Sequence, residues 1–157
     1  MVKDVDQAAS NWAALLGMEK PEPGYFPAAD RVPNFTNGEP TDIGDVLAVV
    51  FDLPNVRIEL VQPGSNPNAF TAKMARDGEG LQHISFIVPD RHAANQALQE
   101  LGAPQPYHIG YWPDGTYAFV DSTEQLGVEI NIKTDDSNAE KIQEIKRNPA
   151  LHRDDLV

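Results

Sequence analysis

The chain repeats itself, and nothing else in it limits the possible fold as strongly. The stretch "VKDVDQAASNWAALLGM" begins at Val2 and "VPDRHAANQALQELGAP" at Val88, 86 residues later. Each has an Asp two residues on, an Ala-rich run, then Leu and Gly. In the first copy Val5, Ala8, Ala9, Trp12, Leu15 and Leu16 recur at helical spacing between a capping Asp4 and a terminating Gly17. In the second, Ala94, Ala97, Leu98 and Leu101 do so between Asp90 and Gly102.

The rear of each half matches as well. "LAVVFDLPNVRIELV" from Leu47 aligns without a gap on "YAFVDSTEQLGVEIN" from Tyr117, 70 residues later, and sets Glu59 on Glu129. Both predict a strand, a turn and a second strand. The two offsets leave about 16 extra residues in the first half, within residues 18–45. That segment is rich in Pro and Gly and predicts a loop with one short strand near residues 24–26.

Each half therefore predicts a strand, a helix and two or three antiparallel strands. A sheet with one face to cover needs a partner layer, and two copies can share one. The expected class is α+β: paired βαβββ modules forming a curved, mostly antiparallel, half-open barrel. The expected divisions are a first module over 1–63, a linker with a short helix over 64–80, a second module over 81–133 and a charged tail over 134–157, all in one domain. The second half opens with the strand "LQHISFIV", whereas the first opens at its Asp-helix junction. The first strand of the first module is thus expected to be missing, and the counterpart of His83 falls just before residue 1.

Alternation sorts the polar residues by face. In "VRIELV" Val56, Ile58 and Leu60 lie opposite Arg57, Glu59 and Val61; in "LQHISFIV" Ile84, Phe86 and Val88 lie opposite His83, Ser85 and Ile87. In "GVEINI" Val128, Ile130 and Ile132 lie opposite Gly127, Glu129 and Asn131. Three strands thus pair an aliphatic face with a face bearing one metal-ligand type. An antiparallel sheet often leaves one face wet, where Glu or His needs no function. The repeat symmetry of Glu59 and Glu129 favours a shared site made of Glu59, His83 and Glu129. Two carboxylates and an imidazole suit a divalent ion such as Zn, Ni, Co, Mn or Fe(II). Ser85 and Asn131, His108, Tyr111 and Trp112 are the candidate substrate contacts. Tyr25, Phe26 and Tyr107 add aromatic surface for a pocket mouth or for packing, while His92 and His152 are expected at the solvated surface, and the charged tail, with Ile142 and Ile145 spaced for a short helix, predicts a surface helix or a partner contact.

Composition removes other classes. A formal charge of −12 repels phosphate backbones and anionic lipid. The absence of Cys excludes disulfides, thiolate ligands and a cysteine nucleophile. No run is apolar enough to span a bilayer, and no signal-type segment opens the chain. A cytoplasmic protein acting on a small molecule, with no nucleic-acid or membrane partner, is expected.

The combination of "VRIELV", "GEGLQHISFIVPD" and "DSTEQLGVEINI" in paired halves resembles the vicinal oxygen chelate superfamily, which includes glyoxalase I, methylmalonyl-CoA epimerase, extradiol dioxygenases and bleomycin-resistance proteins. The likeness runs from Val2 to about Lys133, and "IELVQPGSNPNAFTAKMARDGEGLQHISF" is most similar to the epimerases. The resemblance implies four metal ligands, of which Glu59, His83 and Glu129 match three; the fourth belongs to the absent strand. It also implies a metal that chelates neighbouring substrate oxygens and stabilises an enolate, with Glu129 or Glu59 moving the proton. The expected function is a metal-dependent isomerase, epimerase or lyase on a small carbonyl or thioester compound. A metal-free, drug-sequestering binder is the alternative, and a ring-cleaving Fe(II) dioxygenase fits less well because Glu59 would be superfluous there. A homodimer is expected, because a module short of one strand has an open edge.

Overall fold

The computed structural model describes residues 1–156, which fall into two units: Met1–Ala28 with Ile43–Leu81, and Ala29–Asp42 with everything from Gln82. In chain order the elements begin with α1 (Val5–Leu16), β1 (Gly24–Tyr25), β2 (Asn34–Thr36), β3 (Glu39–Thr41), β4 (Leu47–Asp52), β5 (Arg57–Gln62) and α2 (Ala69–Asp77). They continue with β6 (His83–Ile87), α3 (Arg91–Glu100), β7 (His108–Trp112), β8 (Gly115–Val120), α4 (Thr123–Leu126), β9 (Glu129–Thr134), α5 (Ala139–Arg147) and a 3₁₀ segment (Pro149–Asp155). No helix among the described residues is long and apolar enough to cross a membrane.

In the first unit Asp4 starts α1 by accepting from the Gln7 N–H at 2.9 Å, and Gly17, at φ 65°, ends it. The helix lays Val5, Ala9 and Ala13 on Val49, Phe51 and Leu60, with Trp12, Leu47 and Ile58 around them. Leu15, on the predicted stripe, is exposed instead. The sheet runs β1-β4-β5, all antiparallel, so Ile58 and Leu60 face the helix and Glu59 faces away from it. Residues 1–3 lie alongside β5, where the Val2 N–H donates to Val61 O at 2.9 Å. Asn68 caps α2 by accepting from the Phe70 and Thr71 N–H groups, while its own N–H donates to Thr71 Oγ1.

The second unit is a six-stranded sheet in the order β3-β2-β7-β8-β9-β6. Every neighbouring pair is antiparallel except β6 with β9, whose parallel pairing is the crossover that α3 makes necessary. Two helices cover one face. From α3, Ala94 and Leu98 pack with Val88 on Val120, Ile130 and Ile132. From α5, Ile142 and Ile145 pack on Phe35, Ile109, Tyr111 and Ala118. Burying branched side chains of this kind contributes roughly 2 kcal/mol each, so the tail is part of this core and not a solvated appendage.

Several expectations are corrected. Residues 34–41 are not loop: β2 and β3 form a hairpin on the edge of the second unit's sheet, turned by Asn37 and Gly38 at φ 53° and 82°. The ungapped alignment slips by one residue at β4. Val49 pairs with Leu60, but Val120 pairs with Ile130, so Leu47 faces α1 whereas Tyr117 faces away from α3. On β6 only the following Val88 reaches the helix; Ile84 and Phe86 are exposed. His152 is buried, stacked on Phe35 with ring centroids 3.9 Å apart.

Candidate functional site

The sheet face of the second unit opposite the helices is polar and yet dry. Strand alternation places Asn34 and Thr36 of β2, His108 of β7, Tyr117 and Phe119 of β8, Glu129, Asn131 and Lys133 of β9, and His83 and Ser85 of β6 on it. Asn34, His108, Tyr117, Phe119, Glu129 and Asn131 are all buried. A wet face therefore does not explain these residue types, and each buried polar group must be satisfied or used.

Part of the face is a chain of hydrogen bonds whose direction follows from one ring. Burial, and then the nearby His83, hold the His108 pKa down at about 3, so its imidazole is neutral and has one donor and one acceptor. Asn34 Nδ2 donates to Val32 O at 2.7 Å, and its Oδ1 accepts from the Tyr117 hydroxyl at 2.8 Å. The Tyr117 oxygen then accepts from His108 Nε2 at 3.0 Å, and His108 Nδ1 accepts from Thr36 Oγ1 at 2.8 Å. Thr41 Oγ1 closes the far end by donating to Thr36 at 3.1 Å. Gly110 makes room for this arrangement: a Cβ there would stand 2.1 Å from Tyr117 Cε1 and 2.4 Å from Asn34 Oδ1.

Beside this chain the Phe119 ring stands between two imidazoles, 4.8 Å from His83 and 4.9 Å from His108 by centroid. His83 and Glu129 are register partners across the parallel β6/β9 pair. Glu129 is 0 % exposed, and its Oε2 accepts from the Tyr107 hydroxyl at 2.9 Å. Asn131 Nδ2 donates to Ser85 Oγ at 3.0 Å and lies 3.4 Å from His83 Nε2. A buried carboxylate beside an imidazole and a phenol is a set that can take up and return a proton.

Of the residues expected from the sequence, the fold brings His83, Glu129, Ser85, Asn131 and His108 onto this one face. His108 opens strand β7. Tyr111 points the other way, into the α5 core, where its hydroxyl donates to Asp155 at 2.7 Å. Burial first, and then that bond, push its phenol pKa well above the ordinary range. Trp112, half-buried at the far end of β7, shares the His108 face by alternation. Glu59 lies half-buried in the first unit, opposite Val50. Among the described residues no group of three or more His, Cys, Asp or Glu side chains that could hold a metal ion is found. Sequence reasoning missed Asn34, Thr36 and Tyr117, and gave Tyr107 only a generic aromatic role.

These features can be set against known proteins. The Glyoxalase/Bleomycin resistance protein/Dioxygenase superfamily matches residues 1–105, and the chain belongs to it. The fold is similar to that of methylmalonyl-CoA epimerase from Mycobacterium tuberculosis, at 17 % identity and TM-score 0.56, over 89 % of this chain and 86 % of that one. A hypothetical protein from Bacillus halodurans C-125 is similar at 18 % identity and TM-score 0.57, covering 88 % and 91 %. A variant of Streptomyces coelicolor methylmalonyl-CoA epimerase in complex with 2-nitronate-propionyl-CoA is similar at 18 % and 0.51, covering 85 % and 88 %. No curated protein matches the sequence.

Proposed function

We propose that this protein is an isomerase or epimerase that moves a proton on the carbon next to a carbonyl of a small compound, with Glu129 as the proton-transfer group. One observation carries this reading: Glu129 is fully buried, held by the Tyr107 hydroxyl, and paired across the strands with His83. A base works best when held at hydrogen-bond reach in a dry site, where its proton affinity and geometry are set by few neighbours. His83 and the Asn131 amide lie beside it to face the carbonyl oxygen as charge develops there. The epimerase folds that the chain resembles give the reaction type its plausibility. Glu59 keeps no role in the step.

Incubation in deuterium oxide with small ketones and a simple thioester tests this. The expected result is incorporation of deuterium beside the carbonyl, lost by about a hundredfold or more in Glu129→Gln; incorporation unaffected by that substitution would overturn the assignment. The divalent ion expected from the sequence enters only through its own test, metal content of protein purified without chelator, in which His83→Ala should lower whatever ion is held.

A second reading has an observation of its own. The lack of a three-ligand cluster among the described residues also suits a binding protein that holds its ligand on this face without chemistry. Saturable ligand binding with no deuterium incorporation would establish it. We also infer a homodimer through β6, an outer strand of its sheet with Ile84, Phe86 and Ile87 exposed. A monomeric mass by light scattering at micromolar concentration would remove that part.

A further inference from the structure

The six strands of the larger sheet carry a single Lys or Arg, Lys133 near the end of β9. Alternation puts it on the polar face with Glu129 and Asn131, and the register sets it opposite Ile87 on one side and Tyr117 on the other. Because β6 and β9 are parallel and in register, this face presents three successive rungs: His83 with Glu129, Ser85 with Asn131, Ile87 with Lys133. Two residues of strand span about 7 Å, so Lys133 stands about 13 Å along the track from Glu129, and its flexible four-carbon stem can reach back along it.

The middle rung points to a ligand. Asn131 is 2 % exposed, and although its Nδ2 is bonded to Ser85, its Oδ1 has no hydrogen-bond partner among the described residues. A buried amide oxygen left in this state is costly, and a donor on a bound molecule would relieve it. The last rung points to the charge of that molecule. Several cations of the chain are held by carboxylates, Arg91 and Lys141 by Asp155, Lys73 and Arg76 by Asp77, Arg57 by Asp52, and those without such a partner among the described residues, Arg31, Lys146, Arg147 and Arg153, stand on no strand of this sheet. Lys133 makes no ion pair or side-chain hydrogen bond among the described residues.

We propose that the β6/β9 track binds an elongated monocarboxylic acid, its carbonyl end at His83 and Glu129, its middle against Ser85 and Asn131, and its carboxylate on Lys133. The inference rests on the reading of Glu129 given above. A single cation on the polar face of a chain with net charge −12 suits one carboxylate and is poorly suited to the several phosphates of a CoA thioester.

The probes are N-(4-oxopentanoyl)glycine, a methyl ketone whose mid-chain amide N–H can donate to Asn131 and whose carboxylate lies beyond it, and neutral N-ethyl-4-oxopentanamide. Each is titrated by NMR, and its deuterium exchange is followed, with the wild type, Lys133→Gln and Glu129→Gln. The acid should bind the wild type about tenfold more tightly than the neutral amide. Lys133→Gln should erase that advantage while leaving the neutral amide's affinity within about twofold, and added salt should weaken only the acid. Equal affinities in the wild type, an advantage that survives Lys133→Gln, or no binding of either probe would overturn the proposal. The exchange readout separates the two claims: a Lys133-dependent preference without Glu129-dependent exchange would keep the track and sink the chemistry, and the converse would do the reverse.

Discussion

Two carboxylates are buried in the same unit, one on each side of its sheet, and they are held in different ways. Asp155 sits on the helix side between two cations: Arg91 Nη2 at 2.8 Å from Oδ1, and Lys141 Nζ at 3.0 Å from Oδ2, with the Tyr111 hydroxyl donating to Oδ2 as well. Arg91 also donates to Thr116, which bonds Thr134 at 2.8 Å. This cluster pins the 3₁₀ segment to the sheet, and each oxygen of its carboxylate is engaged by a cation. Glu129, on the other side, is held by a neutral phenol beside a histidine. The difference teaches that burial of an acid is not by itself a sign of chemistry. A carboxylate locked between cations is a fastener, whereas one held by a neutral phenol beside an imidazole is the one proposed for proton transfer.

Breaking either side should produce a different kind of damage. The largest effect on stability is expected for Asp155→Asn, which leaves Arg91 and Lys141 without their counter-charge; a loss of about 3–5 kcal/mol in denaturant unfolding is expected. Next comes the pH dependence from His108. Its folded pKa, about 3, lies below the ordinary value, so as pH falls below about 6.5 the unfolded chain takes a proton that the folded chain refuses. Stability should therefore be complete above that pH and decline towards pH 3, with a slope steeper than that of His108→Gln by up to about 1.4 kcal/mol per pH unit. Gly110→Ala should cost about 2 kcal/mol, because the new methyl collides with Tyr117 and Asn34; unchanged melting would show that the polar face can shift to admit it. Smallest, Tyr107→Phe removes one hydrogen bond to buried Glu129 and should slow exchange about tenfold, at a cost of about 1 kcal/mol in stability.

How far the sequence reached depended on the length of each pattern. Alternation over "VRIELV" and "GVEINI" was long enough to assign the faces of β5 and β9 correctly, and the caps at Asp4, Gly17 and Asp90 are where their chemistry puts them. The β2/β3 hairpin was not legible by alternation, since its strands have three residues each and one contains Pro40, but the Asn37-Gly38 pair was a direct turn signal. His108 was hidden by the Pro and Gly around it, which read as loop. Tyr111 looked equivalent to His108 in an aromatic cluster, yet three residues along a strand reverse the face. The spacing of Ile142 and Ile145 announced the short helix α5, but nothing local in the tail told that these residues and Asp155 would complete a core contributed by distant strands.

The most direct test of the contrast is deuterium incorporation beside a ketone carbonyl, measured side by side for the wild type, Glu129→Gln and Asp155→Asn under conditions where all three remain folded. Exchange lost by about a hundredfold in Glu129→Gln and kept within a few-fold in Asp155→Asn is the predicted result. Equal loss in both, or no loss in Glu129→Gln, would contradict the separation of a reactive acid from a structural one.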